Sequence, residues 1–444
     1  MNKRVLVLSV PVFFAFSVAM GLAQSPSRTE IQDAHQKSRS PVPPPIVLPG
    51  IPARETTAAP IEPRRDRPTS PQAIPSVQQQ RVVTGTAPLQ PSMPQVVVPA
   101  VVIDPKPVKP LSARDFQTRL AEAERLLKSK PALTSYSLPG LSAVRLALFE
   151  PSTSSIHIVS VGKDTFLVKG AQAGLITSLG KSVHLNVLRA NGVNTAVLVY
   201  DDQGNSYIPL VVEFPIEKFG AVREIAYYTS AHPTLLSSEI IKDGQTYVRT
   251  MLDLATKRLK LNGISISPNV VDAAERLCVV EHTDHDRFKK ENRISLFQEI
   301  YSLYALNQLD TFRYSVSFAG AGGMVQMIPS TYQMLRRAHP IAGLNPDFVA
   351  GMRNHGNALE AMLLYMQDTW NDLSSRPDVM DALSNKTATS TELMAAGYNS
   401  NPAKLPGYLK RGGIGWRNLI PRETQMYLQI YQSLDSVMQF KSRD

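Results

Sequence analysis

The sequence predicts an α+β multidomain protein, in which a small β-rich domain is followed by an α-helical domain. Three observations carry this. Apolar residues alternate with period two between about residues 135 and 214, and they recur at helical spacing from about Asp243 onward. Nineteen of the 34 prolines fall in residues 25–110, which sets that stretch apart from both domains.

The chain opens with Asn2, Lys3 and Arg4, followed by the apolar run Val5 to Met20 and the small residues Gly21-Leu22-Ala23. This pattern predicts an export signal, residues 1–23, cleaved after Ala23. The alternative is a retained signal anchor, because the run approaches the roughly 20 residues a spanning helix needs. Either form places the remainder outside the cytoplasm. No cysteine stands at the cleavage point, which argues against a bacterial lipid anchor. Residues 24–112 are predicted to be a disordered, proline-rich linker, whose composition buries too little apolar surface to offset the entropy of ordering.

Within residues 113–240, the predicted β-rich domain, Phe116, Leu120, Ala123 and Leu127 first mark a helix over Ala113 to Lys128. Val144, Leu146 and Leu148 then alternate, as do Val183, Leu185 and Val187. Thr195 to Tyr200, the turn Asp201-Asp202-Gln203-Gly204-Asn205 and Tyr207 to Phe214 read as a hairpin. No catalytic constellation falls here; the domain reads either as a docking module or as a spacer. In residues 241–444 helices dominate. Val248, Met251 or Leu252, Ala255 and Leu259 form one stripe, and Ser267-Pro268 opens the next helix as cap and first-turn proline.

That second helix carries Val270, Val271, Ala274, Leu277 and Cys278 on one face, and the next position on the face is Glu281. A carboxyl group where an apolar stripe should continue is a local inconsistency. Burial there would favour its neutral form and suit it to donate a proton; if the helix stops short, Glu281 is simply solvated. Glu281-His282-Thr283-Asp284-His285-Asp286 also offers metal-ligand types, but no zinc spacing motif is present, so a solvated loop and no metal site are expected. Cys278 is the only cysteine, which excludes an intrachain disulfide framework.

Further along, Ser317-Phe318-Ala319-Gly320-Ala321-Gly322-Gly323-Met324-Val325-Gln326-Met327-Ile328-Pro329-Ser330-Thr331 places three glycines in four residues, allowing close backbone approach to a ligand. Pro329 begins a helix carrying Tyr332, Met334 and Leu335. The string resembles the Ser-x-x-Gly-Ala-x-Gly-Leu-Met-Gln-x-x-Pro-x-Thr signature of the lytic transglycosylases, matching at Ser317, Gly320, Ala321, Gly323, Gln326, Pro329 and Thr331. Met394 to Pro402 resembles the family's Ala-Ala-Tyr-Asn-Ala-Gly-Pro segment. Pro421-Arg422-Glu423-Thr424-Gln425-Met426-Tyr427 resembles its closing Glu-Thr-x-x-Tyr motif, on a helix with Tyr427, Ile430, Tyr431 and Leu434 inward. The resemblance spans roughly residues 265–438. Departures are His282 for a serine, Gly397 for alanine, Asn401 for glycine, and about thirty-five residues between Glu281 and Ser317. That added segment reads as helical (Leu296, Phe297, Ile300, Tyr301, Tyr304) and contains Glu299, a rival acid.

The resemblance implies a lysozyme-like fold for residues 241–444 and a periplasmic enzyme, free or anchored to the inner membrane, that needs no cofactor. Glu281 would be the catalytic acid and base for cleavage of peptidoglycan to 1,6-anhydro-muramyl products. Tyr398 would hold that glutamate or the substrate's acetamido group. Ser317, Gly322, Gly323, Gln326 and Asn399 would line the sugar groove, with Tyr427 and Glu423 as scaffold. The net charge of +10 suits a polyanionic partner, and peptidoglycan carboxylates, nucleic acid and acidic lipid all meet that description, so charge alone does not choose; with the resemblance, peptidoglycan is expected and no nucleic-acid partner is. Two other readings stay open. A hydrolase on the same fold would recruit Asp284, Asp286 or Asp347 as second acid. A non-catalytic scaffold of an envelope or secretion assembly would grip glycan and use the β-rich domain for docking.

Overall fold

A computed structural model describes residues 104–108, 111–130, 142–218, 221–317 and 320–444. The predicted leader and most of the predicted linker lie outside these residues. Among the described residues no helix is long and apolar enough to cross a membrane. The end of the predicted linker is fastened to the sheet. Lys106 N–H donates to Gly204 O (2.8 Å), and the Ser206 hydroxyl donates to Lys106 O (2.7 Å). Free backbone groups at a hairpin turn capture this stretch in spite of its prolines.

Helix α1, Ala113–Lys128, begins where expected: Ser112 accepts from Asp115 N–H, and Phe116, Ala123 and Leu127 are buried. Among the described residues seven strands follow: β1 Ala143–Glu150, β2 Ser155–Gly162, β3 Gln172–Ile176, β4 Ser182–Arg189, β5 Ala196–Asp201, β6 Ser206–Lys218 and β7 Ala221–Tyr228. They form one antiparallel sheet in the order β2-β1-β6-β5-β4-β3, with β7 also on β6. The long β6 serves β5 at its start, β1 along its middle and β7 at its end. Its pairing to β1 shifts between Pro209 and Val211, an irregularity that accommodates a proline without a backbone donor. The sheet curls until its ends meet, where Ser178 N–H donates to Ile158 O at 2.8 Å.

Alternating residues Val144, Leu146, Leu148, Val183, Leu185 and Val187 fill the inside of the curl with Phe166 and Phe214. The opposite face of β1, Ala147 and Phe149, is also buried, against Phe116 and Leu127 of α1 and Ile208 of β6.

The helices are α2 Ser238–Leu261, α3 Pro268–Val280, α4 His285–Lys290, α5 Arg293–Leu306, α6 Pro329–Ala338, α7 Phe348–Arg353, α8 His355–Ser374, α9 Pro377–Ser384, α10 Ser390–Asn399, α11 Leu405–Gly412 and α12 Arg422–Val437. Helix α2 starts five residues before the expected Asp243, because Ser237 accepts from Ile240 N–H and caps it there. Ser267, expected to cap α3, makes no side-chain cap bond, so Pro268 alone marks that start. Of the three residues named on α6, Met334 is exposed, while Tyr332 and Leu335 are buried.

Sheet and helices share a core: Leu235 and Ile240 pack with Ala305 of α5 and the outer face of β1. Polar contacts reinforce it. Asn307 accepts from Thr229 N–H (2.7 Å) and donates to Thr229 O (2.9 Å), and Glu224 of β7 pairs with Arg313 and Arg353. Behind the site, Arg443 near the C-terminus pairs with Asp253, Asp272 and Glu275, tying the chain's end to α2 and α3.

Candidate active site

Helix α3 runs through the middle of the helical region, packed against α2, α8, α10 and α12. Such a position demands apolar residues nearly all round, and Val270, Val271, Ala273, Ala274, Leu277, Cys278, Val279 and Val280 are all buried. The regular helix ends at Val280. Glu281 nevertheless keeps helical backbone (φ −60°, ψ −22°), and its N–H still donates to Leu277 O at 2.9 Å. Its side chain therefore continues the stripe, half-buried on the wall of a cavity of about 630 Å³.

Burial pushes the Glu281 carboxyl up to a pKa of about 8. A hydrogen bond from Tyr427 opposes this, and the negative charge of Glu423 adds to it. The Tyr427 hydroxyl donates to Glu281 Oε1 at 2.6 Å. Of the two roles expected for Tyr398, this removes the one in which it holds Glu281. Tyr427, placed as scaffold, is the residue that holds Glu281, whereas the Tyr398 hydroxyl donates to Val325 O at 2.6 Å. Tyr398 still lines the cavity, with Asn399, Ser317 and Gln326, so the structure brings these four to Glu281. Gly397, where the resembled motif has alanine, lets α10 pass close to Thr369 and Pro402, which a methyl group would crowd.

Gly322 and Gly323, expected to line the groove, are buried beneath it. Gly322 N–H donates to Met327 O (3.1 Å) and Gly323 N–H to Ser315 O (3.2 Å), so neither amide is free for a sugar. What the glycine loop approaches closely is α7: Gly323 sits at φ +70°, and a Cβ there would run into the Met352 carbonyl oxygen. Gln326 adopts left-handed backbone (φ 46°), which costs a non-glycine residue about 1–2 kcal/mol. Its amide nitrogen donates to Gly323 O (2.8 Å) and to Ser315 Oγ (3.3 Å), so Gln326 braces the loop while presenting its side chain to the cavity. Ser317 Oγ accepts from Ala321 N–H (3.0 Å), closing the loop tip.

The residues between Glu281 and Ser317 form α4, α5 and a loop that packs back on the site. His282 stacks on Phe312 with ring centroids 3.5 Å apart, and its Nε2 lies 2.9 Å from Met324 O. A carbonyl only accepts, so Nε2 carries the proton. Burial lowers the His282 pKa to about 3 and keeps the ring neutral. Beneath the loop, His355 Nε2 donates to Thr311 O (2.7 Å), and Tyr247 donates to His355 Nδ1 (2.6 Å) while accepting from Leu309 N–H (2.9 Å). His282 thus joins the inserted loop to the glycine loop at the residue beside Glu281.

Glu299, the rival acid, receives both nitrogens of Arg287 (2.9 and 2.8 Å) and Nη1 of Arg189 (3.2 Å). Burial would raise its pKa, but those two guanidinium groups outweigh burial and leave it below the usual range. An ionised, doubly paired carboxylate has no proton to donate. The three aspartates considered as second acids are placed otherwise. Asp284 caps α4, accepting from Arg287 N–H (2.8 Å), and Asp347 caps α7, accepting from Ala350 N–H (2.7 Å). Asp286 is exposed, 3.8 Å from Lys289. Glu423, on the first turn of α12, is the other carboxylate on the cavity wall. Among the described residues no three His, Cys, Asp or Glu side chains gather as a metal site. His285, Thr331 and Tyr365 complete much of the lining; of these the sequence singled out Thr331 through its motif and His285 only as a metal-ligand type, and it missed Tyr365.

No family model, curated protein or solved structure matches this chain.

Proposed function

We propose that this chain is an exported, periplasmic lytic transglycosylase of lysozyme-like fold that cleaves the β-1,4 bond between N-acetylmuramic acid and N-acetylglucosamine in peptidoglycan. One observation carries the reading: a carboxyl group on the wall of a cavity is kept protonated near neutral pH by burial and is held by a tyrosine. The three motif segments supply the other walls of that cavity.

Neutral Glu281 donates its proton to the glycosidic oxygen as the bond to C1 breaks. The resulting carboxylate takes the proton of the muramyl 6-hydroxyl, whose oxygen attacks C1 and closes the 1,6-anhydro ring. The carboxyl group ends as it began, and no water is consumed. Because the nucleophile belongs to the substrate, a second carboxylate is not required, unlike ordinary glycosidases. Tyr427 occupies Oε1, the acceptor oxygen of the neutral acid, which leaves Oε2–H for the leaving group. The same hydrogen bond steadies the carboxylate between the two proton transfers.

Mass analysis of purified peptidoglycan digested by the protein tests the proposal. Anhydro-muramyl ends are expected. New reducing ends would instead assign a hydrolase, with Glu423 as the carboxylate to examine, and binding without any new ends would assign a glycan-gripping scaffold.

A further inference from the structure

The cleft does not stop at Glu281. A second cavity, of about 730 Å³, is also lined by Glu281 and Thr283, and its opposite wall is the sheet. Strand β4 and the turn after it contribute Arg189, Asn191 and Asn194, while the inserted loop contributes Phe312 and Tyr314. We infer that the sheet supplies the glycan subsites on one side of the scissile bond, with Arg189 hydrogen-bonding to acyl oxygens of the strand. This rests on the glycosidase reading above.

A polymer cut at an internal bond must lie on both sides of the proton donor, and Glu281 stands where the two cavities join. The motif residues wall one side; nothing but the sheet and the inserted segment walls the other. The lining there joins aromatic, amide and guanidinium groups to the carboxylates of Asp284 and Glu299, the latter already paired with Arg189 and Arg287; the aromatic and amide groups suit sugars bearing acetamido groups. Arg287 is consumed by Glu291 and Glu299. Arg189 is not: Nη1 meets Glu299, but Nε and Nη2 are buried without a hydrogen-bond partner. Both nitrogens are closed off from the cavity as the side chain stands, but that side chain is 24% exposed on the cavity wall, so a rotation about its pair with Glu299 would turn them to acceptor oxygens of a bound strand.

The test measures binding of N-acetylmuramic acid–N-acetylglucosamine oligomers, from a disaccharide upward, to full-length Glu281→Gln protein by calorimetry. The same titrations are run with Arg189→Met or Asn191→Trp added; Asn191 is exposed on its turn, so its replacement spares the fold while filling the compartment. Affinity is expected to rise with strand length, and either substitution should remove about tenfold or more of that rise. Length dependence that is absent, or that both added substitutions leave intact, would overturn the inference while the glycosidase reading stands. Failure of every oligomer to bind the Glu281→Gln protein would remove that reading, and this inference with it.

Discussion

The hydroxyl of Tyr427 lies 2.6 Å from Oε1 of Glu281, joining residues 146 positions apart in the chain. This one bond sets which oxygen of the acid faces the cleft, and it acts against the burial that raises the acid's pKa.

Tyr427→Phe keeps the ring and removes the donor. A hydrogen bond to a charged group is worth about 1.5–3 kcal/mol, so kcat should fall about 10- to 100-fold. The bond favours the carboxylate, so without it the Glu281 pKa rises further. In a pH–rate profile the limb that falls as the acid deprotonates, near pH 8 in the wild type, should move to higher pH. Tyr398→Phe, which loses a bond to Val325 O, should leave that limb in place and cost about 1 kcal/mol of stability in denaturant titration.

Burial of Glu281 also makes stability depend on pH. Its pKa is about 8 when folded, against 4.5 as the unperturbed value. Between these values the folded chain holds a proton that the unfolded chain has released, so rising pH favours unfolding. The contribution is fully present below about pH 4.5 and is lost as pH rises through the folded pKa. Thermal melts across this window should show wild type losing ground steadily to Glu281→Gln, with the gap constant at higher pH. Parallel melting curves would mean that the carboxyl is not desolvated.

Gly323→Ala should destabilise the protein by more than the about 1 kcal/mol cost of left-handed backbone alone, because the added methyl also meets the Met352 carbonyl. Denaturant unfolding reads the loss, and weakened glycan turnover should accompany it as the loop shifts under Gln326.

Much of this was legible in the residues themselves. The Phe116, Leu120, Ala123, Leu127 stripe predicts α1 over Ala113–Lys128, and Glu281 is conspicuous because it interrupts an apolar face. Periodicity along one segment is silent, however, about what covers the other face. Val144, Leu146 and Leu148 announce a strand, but nothing local reveals that Ala147 and Phe149 are roofed by α1. The glycines announce a close approach without saying to what, and the answer is Met352 rather than a sugar. Which tyrosine reaches Glu281 depends on how α12 is turned against α3, a relation between distant elements; Tyr427 sits on an apolar stripe and so reads as core. The share of the sheet in the cleft is of the same kind, since Arg189 belongs to a strand with no motif around it.

Glu299→Gln leaves the two guanidinium groups of Arg189 and Arg287 without their shared carboxylate. It should lower the melting temperature and reduce glycan turnover by less than about tenfold, since a general acid contributes about 100- to 10,000-fold and Glu299 is not one.

The central claim, that Glu281 is the group that donates and then recovers the proton, is tested most directly by anhydro-muramyl release from purified peptidoglycan by Glu281→Gln, with a melt of the same sample. The amide matches the acid in shape and cannot give up a proton, so the protein should stay folded while release falls by a factor of about 10,000 or more, beyond the usual loss of a general acid because the base is lost with it. A folded Glu281→Gln protein that releases anhydro-muramyl products at the wild-type rate would contradict the account.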